Sequence, residues 1–477
     1  MTKRGGVACA ALLAFVACDA SPDAPELDAP AAGPEVRPDT PGNNLQFSFE
    51  RGDTVESFAS VGGRFRVHFT RSGPNAVPAA DANTDGVPDF VEEVAAVYDE
   101  VLAFYTIDLG FRAPVDDGDI ADNGGDDRFD VYLVDFAGVG DGNFAQDQCS
   151  GGTCAGFMTQ ENDYAGYGYP STLYANRVLG SHEFFHAVQA AYDVDQGSVL
   201  AEGTAVWATE RYDPTLEDFE HFIDGYLENP DRPIDEGLPG PADPFSYGAA
   251  IFFQYLEEAH GPNMVRALWE ASEDGANGVA DPYWVDALGP ALEATAGVTF
   301  ADAFAEFARW NLFTDDFADP GQAYAAGVGY PRVRIDPATA PHQDDALRVY
   351  YASAQYYGLD PAGRASIAAA LVPTATAPDA TTDLRLMIAT ESGDTRSVTS
   401  IADVTAGTET VDASNASRVI VVVVNVASGG DSKKPGLCIG APDEVAACKV
   451  ALGEVGGGGG GSGPGGGGPG DDDDGGG

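Results

Sequence analysis

The chain has 477 residues and a formal net charge of −52, from 76 acidic and only 24 basic side chains. This excess of negative charge excludes nucleic acid as a default partner and disfavours binding to anionic lipid surfaces. Because salt screens the self-repulsion of such a surface, the charge favours a soluble, salt-tolerant exported protein.

The N-terminus has the pattern of an export signal. An apolar run over residues 7–17 follows two basic residues and is too short to span a bilayer, which predicts a signal peptide over residues 1–17. Cys18 follows directly in a segment that resembles a bacterial lipobox with an unusual Phe15, so we predict lipidation at Cys18, with plain cleavage as the alternative. Residues 18–44, rich in Pro, Ala and acids, are predicted to be a disordered tether. We therefore expect a cell-surface or extracellular protein that contacts the membrane only through this anchor.

Strand patterns open the predicted folded part. Alternating apolar and polar residues are clearest at residues 64–70, where His68 is predicted to be structural rather than a ligand. The acidic residues 116–130 fit no metal-site spacing and are predicted mainly as a solvated loop before a strand at 128–136. These strands and the helices near them predict a small mixed sheet packed on helices, within a domain over residues 45–335.

A twelve-residue segment between these strands fills every ligand position of a calcium loop. It offers five oxygen-bearing side chains, one backbone carbonyl and a glycine at the sharp turn. Upstream prolines exclude an entering helix, whereas residues 89–107 continue as an amphipathic exit helix, so we predict a structural Ca²⁺ site rather than a sensor. The alternative is an acidic, solvated turn that caps the helix. The predicted ligands are Asp81, Asn83, Asp85, Val87, Asp89 and Glu92.

Four of the cysteines have the spacing expected for disulfides in an exported protein. Cys149 and Cys154 are close in sequence, and Cys438 and Cys448 lie in another short loop, so two local disulfides are the simplest pairing. Neither pair has the two-residue spacing or the adjacent histidine of a structural zinc knuckle. We therefore predict disulfides rather than a metal site at these positions.

The motif with the clearest chemistry is H-E-x-x-H, from His182 to His186, in a stretch predicted to be a half-buried helix. Residues i and i+4 share one helical face, so both imidazoles can reach one Zn²⁺. Glu183 then points to the open side of the metal, where it can take a proton from zinc-bound water and pass it to a leaving amine. The pattern predicts zinc-dependent hydrolysis.

A zinc site of this type needs a third protein ligand. After a short polar turn the chain resumes as a second helix-like run that contains Glu202. This residue lies 16 positions past His186, enough for a turn and an antiparallel helix to return it to the metal. Glu202 is therefore the first candidate, Glu210 is its rival, and His221 and Asp195 are weaker candidates.

These segments resemble a known family. HEFFHAVQ, which starts at His182, and AEGTAVW around Glu202 are similar to gluzincin metallopeptidases, in particular to a group of secreted bacterial metalloproteases with an EGTA third-ligand helix. The resemblance covers roughly residues 64–314 and implies the same three zinc ligands, with Glu183 as the general base. A later segment, SYGAAIFFQYLEEAHG, is similar to one in which a tyrosine precedes a helix and faces the zinc. The resemblance therefore implies Tyr247 as the hydroxyl that stabilises the tetrahedral oxyanion.

The remaining patterns define the fold class. Helical patterns dominate the chain after the zinc motif and predict two lobes with the zinc between them; they cover residues 216–226, 247–260, 264–273 and 300–312. From about residue 336, runs rich in β-branched residues predict an antiparallel β-sandwich over residues 336–455; they cover residues 346–351, 365–371, 384–389 and 417–426. Residues 456–477, almost all glycine, are predicted to be a flexible tail. The predicted class is α+β, with a gluzincin-like two-lobed domain followed by an all-β sandwich.

The residues therefore predict an exported zinc metallopeptidase, an endopeptidase that acts on peptide or protein substrates and carries Zn²⁺ and Ca²⁺. The alternative is a surface binding or scaffold protein in which both metals only stabilise the fold. A zinc hydrolase for a non-peptide amide is a third interpretation. Glu183 separates the first two, because a scaffold has no need of a base beside its metal.

Overall fold

The computed structural model describes residues 36–118, 123–237, 243–373, 381–399, 401–403 and 407–453. Helices and three sheets are mixed within these ranges, which confirms the predicted α+β class. The predicted signal peptide, Cys18 and the glycine-rich tail lie outside the described residues. In the ranges given, no helix combines the length and the apolar character needed to cross a membrane.

The first sheet has five strands: β1 Glu56–Ala59, β2 Phe65–Phe69, β3 Phe129–Val134, β4 Gly142–Ser150 and β5 Thr153–Glu161. Their order is β1-β2-β3-β5-β4. The three central strands run parallel, and the two edge strands pair with them antiparallel. This is the small mixed sheet that the sequence predicts, and β3 is almost entirely buried, as a central parallel strand should be.

Helix α1, Asp89–Ala103, lies between β2 and β3 in sequence, whereas α2 Thr172–Gln189 and α3 Ser198–Tyr212 follow β5. Helix α2 packs against the sheet on one side and against α1 and α3 on others. From residue 175 to residue 189 all its residues except Arg177 are buried. The prediction of a half-buried helix was therefore wrong, because α2 is covered on nearly all sides by elements that are distant in sequence.

The N-terminal segment, residues 36–55, covers the opposite face of the sheet. Phe47 stacks on Phe136 with ring centroids 3.9 Å apart, and Phe49 packs edge-on against Tyr132. The predicted tether extended to residue 44. Its last part, residues 36–44, is ordered, because Arg37 is buried against the sheet with its guanidinium 5.2 Å from the ring centroid of Phe157.

Arg37, in that segment, is completely buried and forms ion pairs with three acids. Its guanidinium lies 2.8 Å from Asp117 and 2.6 Å from Asp147, and it also pairs with Asp130. Asp130 in turn accepts from His68 at 2.7 Å, so His68 is structural, as predicted. The solvated-loop prediction is wrong for Asp117 and Asp130, which are buried by this ion cluster.

The second lobe is helical. Its helices are α4 Asp218–Phe222, α5 Asp224–Leu227, α6 Pro244–Gly248, α7 Ala250–His260, α8 Met264–Ala271, α9 Trp284–Ala296 and α10 Phe300–Trp310. The sequence patterns predicted α7, α8 and α10. They predicted α4 and α5 as one helix over residues 216–226, and they missed most of α6 and all of α9, which contains Pro290 in its interior. The close approach of α3 to α7 depends on Gly203, where a Cβ atom would lie 2.6 Å from the ring of Phe253.

The C-terminal part contains two facing sheets. The first has β6 Asp336–Pro337, β8 Ser353–Leu359, β10 Leu384–Ser392, β11 Thr395–Val398, β12 Ala402–Asp403 and β14 Arg418–Asn425; the second has β7 His342–Asp344, β9 Ser366–Val372, β13 Thr408–Asp412 and β15 Gly436–Gly440. An apolar core of Leu386, Val421 and Leu437, among others, separates the sheets, which is the predicted sandwich.

Both outer faces of the sandwich are covered. Helix α11, Pro442–Ala451, lies on the second sheet, whereas Tyr356 and Val422 of the first sheet share a core with the helical lobe. Strand β14 is therefore buried on both faces, which explains its continuous apolar run.

The strand predicted at residues 346–351 is wrong. Val349 forms only an isolated bridge to Lys433, and β8 begins at Ser353 instead. The cause is a turn in which Ala352 takes a φ of 40°, which interrupts the extended chain.

Both predicted disulfides are present. Cys149 and Cys154 face each other across the β4–β5 hairpin. The second bond joins Cys438 of β15 to Cys448 of α11. These cysteines therefore link neighbouring elements and hold no metal.

Candidate metal centre

The structure brings together the three residues that the sequence predicts as zinc ligands. His182 and His186 lie one turn apart on α2, and Glu202 reaches them from α3. The Glu202 Oε2 atom is 3.3 Å from His182 Nε2 and 3.5 Å from His186 Nε2. One donor atom from each residue lies within 4.8 Å of the other two, so the three could hold a metal ion.

The electrostatics of this triad favour a bound cation. Burial lowers the pKa of His182. Burial also opposes charge on His186, but the carboxylate of Glu202 overcomes this and raises the pKa of His186 to about 9. The two histidines, in turn, hold the pKa of Glu202 well below its usual range. Two imidazole nitrogens and one carboxylate form a donor set typical of zinc, which would take the place of the proton.

Gln189 orients one of the predicted ligands. Its Oε1 lies 2.8 Å from His186 Nδ1, so the Nδ1–H donates to Gln189 and Nε2 is left to face Glu202. The Gln189 amide donates to the carbonyl of Ala201 at 2.7 Å and to the hydroxyl of Thr204 at 3.0 Å. Helix α3 therefore fixes the tautomer and the ring orientation of a histidine on α2.

Glu183 is buried beside the triad and takes no part in it. Burial raises the pKa of its carboxyl group to about 8, although the backbone N–H of Phe144 donates to it. Strand β4, which carries Phe144, comes close to α2 because Gly142 has no side chain; a Cβ there would lie 2.6 Å from Leu179. Glu183 is thus held by the edge strand, separate from the three donors.

Tyr247 also lies next to the triad. Its ring is nearly parallel to the imidazole of His182, with centroids 5.6 Å apart, and Phe222 of α4 packs on it at 4.9 Å. Asp243 caps the short helix α6 that carries Tyr247, by accepting from the backbone N–H groups of Phe245 and Ser246. The second lobe thus contributes one wall of the site.

The rival ligand candidates lie elsewhere. Glu210 is two turns beyond Glu202 on α3, and neither it nor His221 nor Asp195 belongs to the metal-binding triad. The described residues contain one other group of three acids close enough for an ion, Asp193, Asp274 and Asp281, and two of these are exposed.

The predicted calcium loop, residues 81–92, forms a turn that leads into α1. Backbone N–H groups donate to its acids, from Gly86 to Asp81 at 3.0 Å and from Val87 to Asp85 at 2.9 Å. Gly86 has a φ of 97°, as the sharp turn requires. Within the part of the chain that the structure describes, no three acids of the loop lie within 4.8 Å of one another. Further hydrogen bonds inside the loop involve Asn83, Asp89 and Glu92.

Two features of the site were missed by the sequence reasoning. Gln189 stands three residues after His186, and this one-turn spacing was a usable signal. The buried acids Asp141 and Asp218 near α2 carry no local signal, because elements distant in sequence bring them there.

Comparisons with known proteins identify no family for this chain and one distant structural likeness. No family model matches the chain, and no curated protein matches it. Among solved structures, it is similar to Legionella pneumophila aminopeptidase A, crystallised in complex with aspartic acid, at 12% identity and a TM-score of 0.34. The match covers 75% of this chain and 35% of that protein, so this chain spans about a third of its length. At this TM-score the likeness supports no conclusion about function.

Proposed function

We propose that this protein is an exported zinc-dependent metallopeptidase that hydrolyses peptide bonds, with Glu183 as the general base. The observation that carries the proposal is the pairing of a complete donor triad with a buried carboxylate outside it. His182, His186 and Glu202 supply the donors, and Glu183 lies beside them on the same helix. A metal that only stabilises the fold would not need the second carboxylate.

The three donors would hold the zinc ion, with Gln189 keeping His186 in the required tautomer. When bound, zinc supplies Lewis acidity that polarises the scissile carbonyl and favours deprotonation of the attacking water. Glu183 accepts the proton of that water and later delivers it to the leaving amine. Its burial suits this role, because a carboxyl group with a raised pKa can both take and return a proton near neutral pH.

Tyr247 is proposed as the group that stabilises the developing oxyanion. Its ring lies against the ligand His182, so its hydroxyl belongs to the neighbourhood of the reaction. Tyr247→Phe should lower kcat by about 10²- to 10³-fold and leave zinc content unchanged. A normal kcat in this variant would limit Tyr247 to a packing role.

The base assignment is tested with Glu183→Gln in the full chain. The variant should keep bound zinc, measured by elemental analysis, yet lose nearly all cleavage of a denatured-proteome peptide library, because an amide cannot accept the proton. Glu257→Gln is the matched control, since Glu257 is also buried but pairs with Trp207 and Arg211 away from the triad; it should remain active. Full activity in Glu183→Gln would overturn the enzyme proposal and favour the scaffold interpretation.

The loop at residues 81–92 is proposed to bind a structural Ca²⁺ ion. Ion binding would draw its carboxylates together and stabilise the fold by about 2.7 kcal/mol at a hundredfold excess of calcium over Kd. A calcium-selective chelator should then lower the melting temperature. An unchanged melting curve, with no calcium found by elemental analysis, would contradict the site.

Export through a lipid anchor at Cys18 completes the proposal. The evidence is the apolar run and the cysteine that follows it. Metabolic labelling with a fatty-acid analogue should mark the wild-type protein and not Cys18→Ala. Equal labelling of the two proteins would contradict lipidation at Cys18 and favour plain secretion.

A further inference from the structure

Asp218, the first residue of α4, is a buried acid without a partner. Its relative exposure is 8%, and among the described residues its carboxylate makes no hydrogen bond or ion pair. Burial of an unpaired carboxylate is costly, so such a group is rare unless a ligand compensates it. The exposed fraction is small but not zero, so part of the residue is open to solvent.

Asp218 lies on the side of α4 that faces the metal centre. Asp218 and Phe222 are four residues apart on one helix, so they share a face, and Phe222 packs on Tyr247, which stacks on His182. The charge of Asp218 also acts on Tyr174, at the start of α2. Tyr174 precedes His182 by eight residues, or about 12 Å of helix. The distance between Asp218 and the triad is therefore one that a few residues of an extended peptide substrate would span.

Three other acids act electrostatically on Asp218, and two of them also have an unpaired carboxylate oxygen among the described residues. Glu210 and Glu220 each have a buried carboxylate oxygen with no hydrogen-bond partner within the described ranges. Burial first, and the charges of Asp141, Glu210 and Glu220 in addition, together raise the pKa of Asp218 to about 7. Asp141 also acts on Glu183, so the acids extend from Asp218 to the general base.

The shape of the cluster favours an extended cation over a metal ion. Within the described part of the chain, no three of these acids come within 4.8 Å of one another, as a metal site would require. Tyr169 lies between them; its hydroxyl donates to Asp141, and its ring lies 6.1 Å from that of Tyr174. Carboxylates beside aromatic faces are suited to a guanidinium or an ammonium group on an alkyl chain.

We propose that Asp218, with Glu210, Glu220 and Asp141 around it, forms a subsite that binds an arginine or lysine side chain of the peptide substrate. This inference rests on the proposed peptidase function and adds its substrate class. The general acidity of the protein does not account for the cluster, because the many surface acids are solvated, whereas Asp218 is buried and no described residue supplies it with a countercharge.

The test uses internally quenched peptides that differ at one position, which carries arginine, lysine or citrulline, the neutral isostere of arginine. The variable position is scanned over four residues on each side of the scissile bond. Wild-type protein should cleave the arginine peptide with a kcat/KM at least about tenfold above that of the citrulline peptide, at one position.

Asp218→Asn should reduce this arginine-to-citrulline ratio to nearly one. Asp224→Asn is the matched control, because Asp224 is exposed on the next short helix; it should keep both the ratio and the rate. Melting curves verify folding of each variant. If Asp218→Asn does not fold, Glu220→Gln provides a second test and should reduce the ratio by a smaller factor.

A binding measurement separates this proposal from the proposed function. The arginine and citrulline peptides are titrated into Glu183→Gln protein by calorimetry, with and without Asp218→Asn. Cleavage without any preference for a basic residue would overturn the subsite and leave the peptidase intact. Selective binding of the arginine peptide without any cleavage by wild-type protein would overturn the peptidase and leave the subsite. Binding of Ca²⁺ that Asp218→Asn abolishes, with no peptide selectivity, would make the cluster a metal site instead.

Discussion

Two buried ionic clusters lie on opposite sides of the first sheet, and they differ in the source of their positive charge. In one, Arg37 provides a guanidinium to three aspartates. In the other, Glu202 lies between two imidazoles, and Asp218 nearby has no countercharge within the described ranges. The carboxylates around Arg37 share a cation that the chain itself provides, which suits a structural element. A buried carboxylate such as Asp218, which has no countercharge among the described residues, is suited to a cation that comes from outside.

Among the tests of this difference between the two clusters, removal of the predicted zinc ligand Glu202 should have the largest effect. Glu202→Gln takes the only carboxylate from the triad, so zinc affinity should fall by more than about 100-fold and activity should be lost with it. Zinc content and peptide cleavage measure the two losses. Glu210→Gln is the control for metal binding and should keep its zinc. Full occupancy in Glu202→Gln, with loss in Glu210→Gln, would transfer the third-ligand role to Glu210.

Removal of the cation from the Arg37 cluster should affect folding and not metal binding. Arg37→Met leaves three buried carboxylates without their cation, which should lower the free energy of unfolding by about 3–5 kcal/mol. Denaturant unfolding measures this change, and the folded fraction should still bind zinc. Arg71→Met removes an exposed pair with Glu56 and should cost at most about 1 kcal/mol. Equal costs for the two variants would show that the Arg37 cluster is not the structural element inferred here.

The sequence predicted the two clusters to very different degrees. The proximity of the three donors was predicted residue by residue, because His182 and His186 lie one turn apart and Glu202 follows at a distance that a helical hairpin closes. The Arg37 cluster was predicted as a disordered tether and a solvated acidic loop. Its members come from segments up to 110 residues apart, so no local spacing joins them.

The fold shows the same limit. Strands and helices with a clear period were predicted, as were the sandwich and both disulfides. The strand predicted at residues 346–351 was wrong because the backbone turns at Ala352, and α9 was missed although the structure tolerates Pro290 inside it. Asp218 could not have been predicted, because its burial depends on how α4 packs near α2 and not on its neighbours in sequence.

The hydrogen bond between Gln189 and His186 tests whether α3, which holds Gln189 by two hydrogen bonds, orients a histidine for metal binding. Gln189→Leu removes the acceptor for His186 Nδ1–H, so the imidazole can change tautomer and zinc affinity should fall by about 10- to 100-fold. Competition with a chelator of known affinity measures the change. Gln196→Leu is the matched control, because Gln196 is equally buried but bonds to Asp193, Ser272 and Trp284. A similar loss of zinc in both variants would indicate general destabilisation.

The smallest effect concerns the charge of Asp218 itself. Its pKa is raised from 3.8 to about 7 in the folded protein, chiefly by burial. The folded state therefore binds a proton more tightly than the unfolded chain, and the stability this provides is fully present below pH 4 and is lost as the pH rises through about 7. Asp218→Asn has no such loss, so its melting temperature should gain on the wild type between pH 5 and pH 8, by a few degrees for a difference on the order of 1 kcal/mol. Melting curves of both proteins across this range, without peptide, measure the difference. Buried acids that do not interact with Asp218 titrate in both proteins and cancel, whereas the mutual repulsion with Asp141, Glu210 and Glu220 is part of the measured difference. An equal pH dependence would mean that Asp218 finds a countercharge in the free protein, and the contrast with the Arg37 cluster would then disappear.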